Sequence, residues 1–133
     1  LIYFGFTYCP AICPTELQKI RIVMDRLGPL AARVQPVFIT VDPERDTVAV
    51  MKNYVEQFHP RLIGLTGTPE AIAETLKHWR VYARKVDDPS LSGYTMDHSS
   101  YIYFTRADGT VLGMFGIDQD AGTIFSAVEA ELN

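Results

Sequence analysis

Cys9 and Cys13 are the two cysteines of the chain and lie in the stretch FTYCPAICPTE. A disulfide between them would close a loop of about five residues, which stabilises a fold by only roughly 2 kcal/mol. A chain with 47% hydrophobic residues does not need that small contribution. The same i, i+4 spacing lets both sulfurs face one side of a turn that enters a helix, where they can form a redox couple or bind one ion. The cysteine pair alone leaves these two functions open.

Pro14 predicts the start of a helix directly after Cys13, with Glu16 in its first turn. The unpaired N–H groups of a helix N-terminus and the helix dipole favour a thiolate. We therefore expect Cys13 to be the cysteine that the helix activates.

The elements that must position these cysteines alternate along the chain. The first run, LIYFGFTY, is continuously apolar and is typical of a central strand buried on both faces. Apolar residues at helical spacing predict helices after Pro14, after Asp46 or Thr47 as N-cap, from near Pro69 to beyond Trp79, and over 121–132. The remaining predicted elements are the strands VQPVFITVD and RLIGLTG, a polar loop DDPSLSG, and a hairpin over 96–116 that turns at Asp108-Gly109. This order predicts an α/β fold, a thioredoxin-like three-layer α/β/α sandwich with a central mixed sheet.

His98 is the third candidate for chemistry. It stands where the polar loop meets an apolar strand, and in a thioredoxin-like fold that junction lies beside the cysteine pair. His59, at a helix end, and His78, on a helix, are interpreted as structural. Two thiolates and one imidazole form a soft three-coordinate site that suits Cu(I), and Cu(II) can bind with an added oxygen ligand. Structural zinc normally takes four protein ligands, and the sequence offers no evident fourth.

Three further residues are weaker candidates. Met96 should share the face of His98, but methionine fills space more often than it binds metal. Asp97 should point to the opposite face, which disfavours it as a ligand. Asp42 turns the chain after a strand, and tuning of the metal or contact with a partner is a second interpretation.

Composition excludes several classes of partner. The formal net charge is −4 with no run of lysines or arginines, which argues against nucleic acid and anionic membrane surfaces. The length of 133 residues is that of one ordinary domain, so we expect a single domain over 1–133 and a monomer. The chain starts inside a strand-like run, and we interpret it as a fragment of a longer protein.

The motifs CPAICP, VDPERDT, the DH of YTMDHSS and the strand LIYFGFTYCP occur in an order that closely resembles the Sco/SenC copper-chaperone family, over nearly all of the chain. The resemblance implies a thioredoxin-like fold and one copper ion bound by Cys9, Cys13 and His98. It implies assembly of the CuA centre in subunit II of cytochrome c oxidase, with an upstream copper donor and a thiol reductant as further partners. It also implies a membrane anchor and first strands ahead of LIYFGF, both of which we expect to be missing from this fragment. The location that it implies faces the bacterial periplasm or the mitochondrial intermembrane space. On this reading the protein is a metallochaperone and not primarily an enzyme, and the segment from Asp87 to Asp97 supplies a mobile loop for transfer.

Two rival functions remain. A thiol–disulfide oxidoreductase would use Cys9 and Cys13 as a redox pair to reduce the CuA-site cysteines. A peroxiredoxin-like peroxidase is suggested by CPTE at Cys13, but Pro10 stands where such enzymes place threonine.

Overall fold

The structure, a computed structural model, describes residues 1–9, 12–88 and 93–133. Strands and helices alternate up to residue 79 as the sequence predicts, and four strands in succession then precede the last helix. No helix in this described part of the chain has both the length and the apolar character needed to cross a membrane. The elements in chain order are β1 (Ile2–Gly5), α1 (Ile12–Leu27), a 3₁₀ helix (Gly28–Arg33), β2 (Val37–Thr40), α2 (Val48–Val55), β3 (Ile63–Leu65), α3 (Pro69–Trp79), β4 (Ala83–Asp88), β5 (Gly93–His98), β6 (Ile102–Thr105), β7 (Val111–Phe115) and α4 (Ala121–Leu132).

Strand β1 is the centre of a five-stranded sheet in the order β3-β2-β1-β6-β7. It runs parallel to β2, with Tyr3 opposite Phe38, and antiparallel to β6, with Tyr3 opposite Ile102. The predicted mixed sheet is thus confirmed. Because β1 is flanked on both sides, its continuous apolar run is buried as expected, and its carboxyl end leads directly into the cysteine segment.

Successive residues of β1 face two different helix layers. Tyr3 stacks on Phe38 with ring centroids 6.3 Å apart, and Phe38 in turn contacts Tyr54 of α2. Phe4 points the other way and meets Trp79 at the end of α3, at 6.3 Å. Helix α4 packs against α1 on the Tyr3 side. The result is the predicted thioredoxin-like sandwich of three layers.

Helix α1 buries the predicted face but begins earlier than predicted. It starts at Ile12, so Pro14 lies inside its first turn, where a missing N–H costs nothing. Glu16 is not a residue of the first turn; it is buried and accepts a 2.8 Å hydrogen bond from Lys19. The apolar residues at helical spacing after Pro14 are all buried: Leu17, Ile20, Met24 and Leu27.

The next two helices differ from the prediction at their ends. Thr47 is the N-cap of α2, and its hydroxyl accepts a hydrogen bond from the Val50 N–H at 3.3 Å. Met51 and Val55 are buried, but Val48, an apolar residue at helical spacing from both, is 75% exposed because it is the first residue of the helix. Helix α3 ends at Trp79 and does not continue beyond it, since Arg80 takes a left-handed conformation with φ of 56°.

The segment predicted as a polar loop, 87–93, begins and ends with strand residues. Asp87 and Asp88 belong to β4 and Gly93 to β5, and the two strands form a separate two-stranded antiparallel sheet. Residues 89–92 lie outside the described residues, so the expected mobile loop is untested there. The sequence suggested that His98 begins the apolar strand after the loop. In the structure His98 is instead the last residue of β5.

Candidate metal centre

The cysteine segment leaves the carboxyl end of β1 in a tight turn. The Cys9 N–H donates to the Phe6 carbonyl at 3.2 Å, and Cys13 enters the first turn of α1. Cys13 is fully buried and Cys9 is half-buried, and no disulfide joins these two described residues. The two residues after Cys9 are outside the described part of the chain.

The N-terminus of α1 donates a hydrogen bond to Cys9, whereas the sequence predicted that it would favour a thiolate at Cys13. The backbone N–H of Cys13 donates to the Cys9 sulfur at 3.4 Å. A negatively charged sulfur at position 9 therefore gains the donor that we had expected to favour Cys13. At Cys13 the pKa of the thiol is raised well above its usual range, chiefly by its hydrogen bond to Cys9 and also by burial and the nearby Cys9 charge.

His98 is held with one ring nitrogen toward the cysteines. Its Nδ1 lies 2.7 Å from the carbonyl oxygen of Ser99, and a carbonyl can only accept, so Nδ1 carries the proton. Nε2 then has a lone pair, and it lies 3.7 Å from the sulfur of Cys13. The ring is braced edge-on against Phe6, with centroids 5.6 Å apart. A histidine ligand oriented by a backbone carbonyl is the usual arrangement in metal sites.

Cys9, Cys13 and His98 form a compact set of donors. Their ligand atoms all lie within 4.8 Å of one another, and within the described ranges they are the one group of three or more such residues that is gathered this closely. Two sulfurs and one imidazole nitrogen at this separation fit a soft ion such as Cu(I). The sequence prediction that His98 lies beside the cysteine pair is confirmed as geometry.

Tyr3 lies directly behind this group and was not predicted as a site residue. Its hydroxyl donates to the Cys13 sulfur at 3.7 Å and shares a 2.9 Å hydrogen bond with Ser100. The pKa of Tyr3 is raised, first by burial and then by the charge of Cys13, so the hydroxyl stays a donor. The sequence showed Tyr3 only as part of an apolar strand.

Gly5 makes room for the buried sulfur. A Cβ at this position would lie 2.6 Å from the Cys13 sulfur and 3.0 Å from a ring carbon of Phe38. A glycine inside a strand of bulky residues often marks a close approach of another group, and that signal was present in LIYFGFTY.

Asp46 anchors the chain just before the cysteines. It is fully buried, and its carboxylate accepts hydrogen bonds from the Thr7 N–H at 3.1 Å, the Thr7 hydroxyl at 2.5 Å and the Thr40 hydroxyl at 2.7 Å. The sequence suggested only a helix cap at Asp46 or Thr47. Its role in holding Thr7 depends on a contact across 39 positions of the chain, which no local pattern reveals.

The weaker candidates lie outside the donor group. Asp42 is buried, and its carboxylate is taken up by Arg45 at 2.5 Å and by the Tyr94 hydroxyl at 2.7 Å. Met96 is half-buried in a small hollow beside α3, and Asp97 is exposed with the Tyr82 hydroxyl at 3.5 Å.

The other two histidines have structural contacts. His59 accepts a hydrogen bond from the Arg61 N–H at 3.1 Å and lies 3.5 Å from Asp25. His78 meets the ring of Trp79 edge-on, with centroids 5.9 Å apart. Both agree with the structural interpretation.

Fold and site together define a class: thioredoxin-like proteins that carry a Cys-Cys-His donor group at the end of the central strand. The family model for SCO1/SenC matches residues 1–133. The mitochondrial SCO2 homolog of Mus musculus is 45% identical over 99% of this chain and 52% of its own length. The chain thus spans about half the length of this curated relative.

Solved structures that resemble this chain are also Sco proteins. A crystal structure of Arabidopsis thaliana ScoI with copper bound superposes with a TM-score of 0.92, at 42% identity, over 98% of this chain and 81% of that one. BsSco, described as a member of the Sco family of cytochrome c oxidase assembly proteins with a disulfide switch, has a TM-score of 0.70 at 26% identity, over 99% of this chain and 78% of that one. The chain belongs to the SCO1/SenC family.

Proposed function

We propose that the protein binds one copper ion through Cys9, Cys13 and His98 and delivers it to the CuA centre of cytochrome c oxidase subunit II. The observation that carries this proposal is the donor group itself, with two sulfurs and an imidazole Nε2 within 4.8 Å of one another. The hydrogen bond from Nδ1 to the Ser99 carbonyl leaves that Nε2 available as a ligand.

The relatives support the choice of metal and process. Arabidopsis ScoI has been solved with copper bound, and BsSco is described as belonging to a family of cytochrome c oxidase assembly proteins. The chain shares the fold of both and has its own set of soft donors in place. Copper is here a cargo, so the site must both hold the ion and release it.

Unequal burial of the ligands suggests an order of release. Cys13 is fully buried, whereas Cys9 and His98 are half-buried and are reached from solvent. An incoming thiolate of the receptor would bind the ion on that side, and one bond from Cys9 or His98 would break as the new bond forms. Cys13 would be the last ligand to leave.

Transfer can be tested with a metal-free, reduced CuA domain of subunit II. We expect two equivalents of the Cu(I)-loaded protein to fill the domain, and one-electron oxidation of the product by added ferricyanide to give the absorption bands of mixed-valence CuA. A His98→Ala variant that is offered the same copper against a chelator should carry less of the ion and so deliver less. Absence of any transfer from a loaded wild-type protein would contradict delivery to subunit II but would leave copper binding standing.

A thiol–disulfide oxidoreductase is the second candidate, because the two thiols are close and hydrogen-bonded to each other. In that reaction the dithiol would give two electrons and two protons to a disulfide in the CuA domain, and Cys9 and Cys13 would become a disulfide. Reduction of an oxidised CuA domain by the metal-free protein, at a rate that survives His98→Ala but not Cys13→Ser, would favour it. Failure to reduce the oxidised CuA domain would exclude the oxidoreductase function.

The setting of the whole protein is also part of the proposal. We infer a single domain over 1–133 that works as a monomer, in a protein anchored to the membrane by a segment outside this chain. The domain would face the periplasm or the mitochondrial intermembrane space, and it would receive copper from an upstream donor and electrons from a thiol reductant. The mouse relative is named as mitochondrial, which agrees with the second of these locations.

A further inference from the structure

The side chain of Arg45 contacts both ligand-bearing parts of the chain. Its Nη1 donates to the Tyr94 carbonyl on β5 at 2.7 Å, and β5 is the strand that ends in His98. Its guanidinium carbon lies 3.7 Å from the ring centroid of Tyr94 and 4.2 Å from that of Tyr8, which precedes Cys9. One side chain thus bridges the cysteine segment and the histidine strand.

Arg45 is itself fixed by a buried carboxylate. Its Nε donates to Asp42 at 2.5 Å, and the other oxygen of Asp42 accepts from the Tyr94 hydroxyl at 2.7 Å. Asp42 is 2% exposed, and the Arg45 side chain is 17% exposed. Charge-assisted hydrogen bonds in such a shielded place are stronger than those on the surface.

The β4–β5 hairpin depends on side-chain contacts, such as those of Arg45, for its position against the rest of the domain. In the described part of the chain its two strands pair with each other and form a sheet apart from the five-stranded one. A two-stranded hairpin is marginal on its own, so side chains must fix its position against the domain. Lys85 and Glu44 form a second link at 3.0 Å, but both are about half exposed, and such pairs contribute little.

We propose that Arg45 is a positioning residue for the copper site, which holds the β4–β5 hairpin against the cysteine segment so that His98 stays within reach of the metal. It acts through His98 and does not touch the ion. This inference rests on the proposed copper function, because its consequence is the third ligand of that site. Nothing in the motif VDPERDT by itself distinguishes Arg45 from a surface residue; the contacts across 49 positions of the chain do.

A double-mutant cycle on copper affinity tests the inference. We expect Arg45→Gln to weaken Cu(I) binding by about 10- to 100-fold, as the loss of residues that orient metal ligands commonly does. In a His98→Ala background the same substitution should have almost no further effect, because the ligand through which Arg45 acts is already gone. Arg84→Gln is the matched control, since Arg84 is exposed on the same hairpin. An equal loss with and without His98, or no loss at all, would overturn the inference.

A readout without metal separates the inference from the copper proposal. Backbone amides of 93–98 in the metal-free Arg45→Gln protein should exchange with solvent at least tenfold faster than in Arg84→Gln, while exchange in the five-stranded sheet stays unchanged. Unchanged exchange in the hairpin would overturn the positioning role even if copper binds well. Failure of the wild-type protein to bind copper would instead overturn the proposed function. If Arg45→Gln does not fold, Arg45→Lys keeps the charge but not the forked geometry and serves in its place.

Discussion

At the scale of single residues, the chemistry comes from three side chains and the space around them. The types and spacing of Cys9, Cys13 and His98 were enough to predict a site, because soft ligands are scarce in the sequence and lie at element boundaries. Their supporting residues were not predictable in the same way. Tyr3 and Arg45 act through contacts with residues far away in the chain, and their local sequence has an ordinary structural explanation. Gly5 alone of the supporting residues left a local signal, as a glycine inside a strand of bulky residues.

Gly5→Ala tests the tight space behind the Cys13 sulfur. The new methyl group would lie 2.6 Å from that sulfur, so the sulfur or the strand must shift and the spacing of the three donors must change. We expect a loss of roughly 1–3 kcal/mol in the free energy of unfolding, as overpacked cores show, together with weaker Cu(I) binding in a chelator competition.

The matched control for this substitution is Gly64→Ala on β3. Its added Cβ would press on Met51 and Val55 at 3.1 and 3.2 Å, away from the donor group. The control should lose stability and keep its copper affinity. Equal copper affinity in Gly5→Ala and the wild-type protein would show that Cys13 tolerates displacement, against this account.

At the scale of elements, the end of β1 and the start of α2 together fix the cysteine segment. The link is Asp46, which follows β2 and accepts two hydrogen bonds from Thr7. The helices were predicted well because their apolar periodicity is strong. Strands β4 and β5 were missed because ARKVDD and GYTMDH do not alternate apolar and polar residues. The aspartates that end the first of these segments and the glycine that begins the second are also typical of loops.

Asp46→Asn should loosen that link. An asparagine amide cannot accept all three hydrogen bonds and brings a donor toward other donors, and a buried polar group left unsatisfied costs about 1–3 kcal/mol. We expect urea unfolding to show this loss and copper titration to show weaker binding, because Thr7 and the cysteines that follow it lose their anchor.

The neighbouring substitution Thr47→Ala separates the two effects. It removes the N-cap of α2, which should reduce stability by about 0.5–2 kcal/mol, but Thr47 does not hold the cysteine segment. Weakened copper binding of the same size in both variants would mean that general destabilisation is the cause, and the anchoring role of Asp46 would be refuted.

At the scale of the whole molecule, the proposed ion would connect parts of the chain that pair separately. Its ligands come from the turn after β1, the first turn of α1 and the end of β5, which belongs to the second sheet. An ion that binds the folded chain alone stabilises it by mass action, by about 4 kcal/mol at a free concentration a thousand times Kd. The fold itself was predictable from the order of strands and helices. That His98 lies on a second sheet, which the ion would connect to the first, was not predictable, because the sequence of β4 and β5 is typical of a loop.

Thermal unfolding of the reduced protein should therefore respond to copper. We expect Cu(I), buffered at a thousand times Kd, to raise Tm by roughly 15 °C for a domain of this size. A Cys9→Ser/Cys13→Ser double variant is the control and should show no rise. A similar rise in the double variant would place the bound copper elsewhere on the molecule.

The central claim is that Cys9, Cys13 and His98 bind one copper ion together. The most direct test is an anaerobic Cu(I) titration of the reduced wild-type protein and of His98→Ala, each in competition with a chromophoric chelator. The account predicts one tight equivalent for the wild type and an affinity at least about tenfold lower for the variant, because loss of a ligand exceeds loss of its orienting partner. Weak binding by both proteins, or tight binding that is indifferent to His98, would contradict it.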